Sequence, residues 1–155
     1  RARLARPCVA VEPDHPWAAR PDVAVVDSAA LQAAAVREIE VACEPILEPI
    51  ARESGRGRLG LWAQVADSVA DAAQSNGDLA AVEALLDADD APWRQRPRMW
   101  LAEGGTLVKH RGSCCLYYRR EGADPDEGYC DTCLFRTIED VEARALAYAE
   151  SERTE

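Results

Sequence analysis

Arg111-Gly112-Ser113-Cys114-Cys115-Leu116-Tyr117-Tyr118, followed after a polar loop by Cys130-Asp131-Thr132-Cys133, is the stretch on which the reading of this chain turns. Two tight cysteine pairs stand fourteen residues apart, so one loop can fold them against each other. Four thiolates in one place repel unless a cation neutralises them. The candidates are therefore a zinc ion or an iron–sulfur cluster. The spacing separates these only weakly. A single tetrahedral zinc usually takes close pairs from C-x(2–4)-C knuckles. Adjacent cysteines in an extended strand point to opposite faces, so both reach one site only if the backbone bends sharply. A binuclear cluster offers ligand positions on two irons and relaxes that demand. Two disulfides, a Cys-x-x-Cys redox pair or four unrelated thiols are the plainer readings. There is neither a Rieske-type histidine replacement nor the Cys-x-x-Cys-x-x-Cys run of four-iron ferredoxins.

Outward from the cysteines the character changes on both sides. Met99–Leu101 and Thr106–Val108 are short apolar runs around Ala102-Glu103-Gly104-Gly105, a predicted hairpin. Cys115–Tyr118 is β-prone, with Tyr117 and Tyr118 expected to alternate between core and surface. Beyond the second pair, Thr137 caps a last helix, with Asp140 in an imperfect capping box and Ile138, Val141, Ala145, Leu146 and Tyr148 on its apolar face.

Upstream, the pattern is helical. Asp27-Ser28 reads as an N-cap, followed by Leu31, Ala35, Ile39 and Ala42 at helical spacing and then Ile46, Leu47 and Ile50. Pro45 and Pro49 are expected to kink or split that helix. After a turn at Ser54–Gly57, Trp62, Val65, Ala66, Val69 and Ala73 line one face of a second helix, and Gln64, Asp67, Asp71 and Gln74 its wet face. Ser75-Asn76-Gly77 stops it, and Asp78 caps a third helix carrying Leu79, Val82, Leu85 and Leu86. Val9–Val11 and Val23–Val26 are β-prone runs in a Pro-rich lead-in. The fold class expected is α+β: a mostly helical scaffold with short strands beside a four-cysteine site. The whole of 1–155 reads as one domain, with an extended lead-in over 1–27, helices over 28–91, hairpin and cysteines over 92–136, and a helix over 137–155.

The 155 residues suffice for a real core, so the six cysteines need not staple a mini-protein. A formal charge of -10 argues against nucleic acid as partner. No apolar run approaches the roughly 20 residues of a membrane span, so no transmembrane segment is expected, with peripheral membrane association as a variant. Cys8 and Cys43 read as small buried hydrophobes, His15 as an exposed loop residue, and His110 as a surface residue or one packed behind the ligands. Lys109, Arg111, Arg119 and Arg120 flank the first cysteine pair together with His110. They are either a solvated face balanced by Glu121, Asp124, Asp126, Glu127 and Asp131, or a basic rim that raises a cluster's potential and docks an anionic substrate or partner.

The segment Arg111–Tyr118 with the later Cys-x-x-Cys resembles the C-terminal region of the FhuF-like ferric iron reductases, the siderophore-iron reductases. Arg58–Trp62 resembles that family's Leu-Trp segment, and Glu48–Ala51 its Glu-Pro element. The resemblance covers roughly residues 28 to 136. It implies a [2Fe-2S] cluster on Cys114, Cys115, Cys130 and Cys133. It also implies one-electron reduction of ferric siderophores, with Fe(II) released for iron assimilation. A separate donor would supply the electron: a ferredoxin, a flavoprotein or an NAD(P)H system. The implied location is cytoplasmic, with the inner face of the membrane as a variant. Two departures stand out. The loop between the pairs is longer than is usual there, and the chain is shorter than typical members, as though an upstream portion were missing. Beside this stand two alternatives: a [2Fe-2S] electron carrier or redox sensor without a siderophore site, and a structural four-cysteine zinc module.

Overall fold

The computed structural model describes residues 9–20, 23–25, 27–76, 79–119 and 128–154, with backbone only for 9, 10, 23–25, 73–76 and 154. Cys8, Val26, Gly77, Asp78, Arg120 and the acidic stretch 121–127 lie outside them, and with them the cap expected for the third helix. The elements run β1 (Val9–Val11), β2 (Val23–Val25), α1 (Ser28–Ser54), α2 (Arg58–Asn76), α3 (Leu79–Leu86), β3 (Arg98–Leu101), β4 (Leu107–His110) and α4 (Ile138–Thr154). This is the mostly helical α+β fold expected. β1 and β2 pair in parallel, and β3 and β4 form the antiparallel hairpin, with Trp100 opposite Val108. Gly104 and Gly105 turn that hairpin at φ 81° and 79°, conformations open to glycine but strained for other residues.

α1 starts where the sequence caps it: Asp27 accepts a hydrogen bond from the Ala30 N–H at 2.7 Å. Its end is closed by Gly55 at φ 66°. Of the two outcomes expected at Pro45 and Pro49, a split does not occur: the helix runs on through both. Both prolines lie on the exposed side, as does Val41, whose carbonyl Pro45 leaves without its helical partner. Water can satisfy that carbonyl, so the helix continues. The buried stripe is Val36, Ile39, Cys43, Leu47 and Ala51, whereas Ile46 and Ile50 remain exposed.

That stripe meets Leu61, Trp62, Ala66 and Ala70 of α2, then Leu86, Ala91 and Trp93. Trp62 is 4% exposed, as its place on the apolar face requires. Alanines at 66 and 70 let the helices approach closely, and both are fully buried. The Trp93 indole N–H donates to the Leu86 carbonyl at 3.0 Å, so its burial leaves no orphan donor. A second small core joins Ala102 and Val108 of the hairpin region to Val141 of α4, with Trp100, Ala145 and Leu146 packed around it. Thr137 caps α4 through its hydroxyl, which accepts from the Asp140 N–H at 3.2 Å. No helix among the described residues is long and apolar enough to cross a membrane.

Candidate metal centre

Beyond β4 the chain abandons extended geometry. Leu116 has φ 60°, and Tyr117–Arg119 form a short 3-10 turn in place of the expected strand. This bend falls just after the adjacent cysteines, and it is the Cys115 sulfur that lies against the second pair. Tyr117 and Tyr118 both end up exposed, and Tyr118 packs edge-on against Tyr129 and Phe135. The second pair sits on a tight turn, closed by the Cys133 N–H donating to the Cys130 carbonyl at 3.0 Å.

The two pairs meet. The sulfurs of Cys115 and Cys130 are 3.7 Å apart. Cys133 is buried at 4% exposure and near enough for its charge to act on Cys130. Burial first, then the thiol hydrogen bond with Cys115 and the charges of Cys115 and Cys133, push the Cys130 thiol up to about 12, with Arg111 acting in the opposite sense. The sulfur of Cys114 accepts from the Leu116 N–H at 3.4 Å. Cys43 lies apart, packed against the helical core as expected.

A metal bound by thiolates at about 2.3 Å with tetrahedral angles holds two of its sulfurs roughly 3.8 Å apart. The Cys115–Cys130 separation is close to that edge. Cys115 and Cys130 thus supply two thiolate donors at a spacing that a bound metal would accept. Among the described residues no three His, Cys, Asp or Glu side chains form a ready-made cage.

The carbonyls of the cysteine segments are held by side chains from four places. Arg56 and Gln64 both donate to the Cys114 carbonyl, Gln64 at 3.1 Å. A ring nitrogen of His110 lies 3.1 Å from the Cys133 carbonyl, which places this residue behind the second cysteine pair. Arg136 donates to the carbonyls of Cys130 at 2.9 Å and Tyr129 at 2.8 Å, and to Asp140. The Arg111 N–H ties the first segment to the second through the Thr132 carbonyl at 2.9 Å.

The polar row of α2 is the main correction to the sequence reading. Asp67, assigned to the wet face, is 1% exposed. It accepts from Arg111 Nε at 3.1 Å, from the Gly112 N–H at 2.9 Å and from the Ser113 hydroxyl. Gln64 accepts from Arg111 Nη2 at 3.1 Å and also contacts Ser113. Lys109 is buried at 6% exposure, with its ammonium on Asp71 and the Asp67 carbonyl. Lys109 and Arg111 thus face inward, and neither is a free docking charge. Of the expected rim, Arg119 is exposed, stacked 5.6 Å above the Tyr118 ring. Arg56, Gln64, Asp67 and Arg136 escaped the sequence reading because nothing in their local spacing points toward the cysteines. The one usable signal was Asp67 and Asp71 recurring at helical spacing opposite a basic Lys109–Arg111 segment.

No protein-family profile matches this chain, and neither does any curated protein or solved structure.

Proposed function

We propose that this protein is a [2Fe-2S] protein that reduces Fe(III) in ferric siderophores by one electron. The observation that carries the reading is the meeting of Cys115 and Cys130 from the two pairs. Cys114, Cys115, Cys130 and Cys133 would hold the cluster, which supplies a one-electron couple when bound. The residues around it suit that task. The Leu116 N–H donates toward the Cys114 sulfur, and hydrogen bonds to ligand sulfurs raise a cluster's potential. Arg111 places positive charge near the thiols, which favours the more negative, reduced state. Exposed Arg119 beside the cysteines gives an anionic ferric chelate or a donor protein a place to approach.

The chemistry at the substrate is ligand preference. Fe(III) is hard and grips hydroxamate, catecholate or carboxylate oxygens, and Fe(II) holds them far less tightly. One electron makes the chelate releasable, with no nucleophile or general base needed. The electron comes from a separate ferredoxin, flavoprotein or NAD(P)H system, which suits a cytoplasmic protein. The test is anaerobic reconstitution with iron and sulfide, followed by visible and EPR spectra and titration with ferric chelates. A red-brown protein whose spectrum bleaches on reduction and returns on adding a ferric chelate is expected. Replacing any of the four cysteines by alanine should abolish that spectrum, and Cys43→Ala should leave it intact. A colourless protein that takes up one zinc would replace this reading with the four-cysteine zinc module. A coloured protein inert toward ferric chelates would leave an electron carrier.

A further inference from the structure

We infer that Asp67 is a positioning residue for the metal centre: from the middle of α2 it fixes the segment that delivers Cys114 and Cys115, and through Arg111 it sets the charge at the site. The inference rests on the reading of the cysteines as metal ligands.

A carboxylate buried to 1% exposure is unfavourable unless its charge is matched. Here the matching groups are three consecutive residues, Arg111, Gly112 and Ser113, and the next two are the cysteines. The segment has no regular secondary structure of its own, so these bonds set its path. Gly112 adds a steric restraint. A Cβ there would collide with the Arg96 backbone, so the chain is pinned between Arg96 and Asp67. Gln64, one turn earlier on α2, grips the same segment at Arg111, Ser113 and the Cys114 carbonyl. An apolar contact would anchor the loop equally well for stability alone. A charged clamp with directional bonds instead fixes its position in one register. Groups that orient metal ligands in this way typically contribute 10–100-fold in metal affinity. The clamp is also electrical. The Arg111 backbone N–H links to the second pair through Thr132, while the charge of its guanidinium is offset by Asp67. Removing the carboxylate charge while keeping its shape leaves Arg111 uncompensated.

The experiment compares the full chain with Asp67→Asn and, as a control on the same helix face, Asp71→Asn. Metal-free protein is titrated with Co(II), whose thiolate bands report binding without any cluster chemistry, and thermal stability is measured alongside. Asp67→Asn should weaken Co(II) binding by at least about tenfold, within the range for such positioning residues, and Asp71→Asn should leave it nearly unchanged. In reconstituted protein, Asp67→Asn should raise the reduction potential, because one negative charge has been removed. If Asp67→Asn fails to fold, Gln64→Met removes one arm of the clamp and should weaken Co(II) binding in the same direction. Wild-type Co(II) affinity in a folded Asp67→Asn, or in Gln64→Met where that stands in, would overturn the inference and leave Asp67 a residue of the fold alone. If the protein binds Co(II) as stated but takes up no iron–sulfur cluster, the inference stands and the proposed function fails.

Discussion

Around Trp62, the side chains of Val36, Leu47, Ala66 and Leu86 close on one another as an apolar cluster, and the chain is fixed by shape and by exclusion of water. Around Cys114 it is fixed by Asp67, Gln64, Arg56 and Arg111, with hydrogen bonds to named backbone atoms. The first arrangement tolerates repacking, because apolar contacts are non-directional. The second does not, because each bond has one geometry and an unpaired buried group is costly. The helical part therefore serves as a platform, and the cysteine part as a segment held on it at defined points. Among the described residues, no buried side-chain nitrogen or oxygen lacks a partner, as a positioned segment of this kind requires.

The largest break in this contrast should come from Trp62→Ala. Loss of a fully buried tryptophan costs about 3–5 kcal/mol, read as a lower denaturant midpoint for the whole protein. If the cysteine segment truly rests on the platform, metal binding should fail in the same denaturant range as the helices. A metal site that survives melting of the helices would separate the two regions.

Gly112→Ala tests the other side. The added methyl would collide with the Arg96 backbone, so the segment or its neighbour must shift. Overpacking of this kind costs about 1–3 kcal/mol. The helical core lies elsewhere, so the expected signature is metal affinity reduced out of proportion to the change in melting. Equal loss of both would mean that the segment is part of the core.

The thiols give a pH test. In metal-free protein the Cys130 thiol is raised from 9.0 to about 12, chiefly by burial. The folded state then holds this proton more tightly than the unfolded chain does. Its contribution is complete below pH 9 and is lost as pH rises from 9 toward 12. Urea unfolding midpoints should fall across that window, and Cys130→Ala should flatten the fall. An identical slope in the variant would show that other groups cause it.

The smallest effect is expected at Arg119, which holds no cysteine carbonyl and stacks on Tyr118. Arg119→Gln should leave folding and the metal site unchanged while slowing reduction of anionic ferric chelates at low salt. The difference should vanish as salt screens the charge. Equal rates at low and high salt in both proteins would make Arg119 a solvated surface residue.

Periodicity made much of the scaffold legible. Asp27, Thr137, the hairpin turn at Ala102–Gly105 and the burial of Trp62 follow from local rules of capping, turn chemistry and amphipathic spacing. The same rules misplaced Ile46 and Ile50, because the helix face that meets α2 is chosen by packing. They misread Cys115–Tyr118 as a strand, because β-propensity there yields to the bend at Leu116. They put Asp67 in water, because a charge on a helix opposite an apolar stripe is usually solvated.

What the sequence determined by itself is therefore the set of elements and the pair of cysteine motifs, since both are written in residues close together along the chain. Which thiols meet, Cys115 with Cys130, and which side chains hold them were decided only by the tertiary structure. Arg56 precedes α2, Gln64 and Asp67 lie on it and Arg136 follows the second pair, and many of their bonds go to backbone atoms, which carry no signature of residue type. A buried carboxylate and a solvated one look alike in sequence; only the arrival of Arg111, Gly112 and Ser113 on α2 distinguishes them.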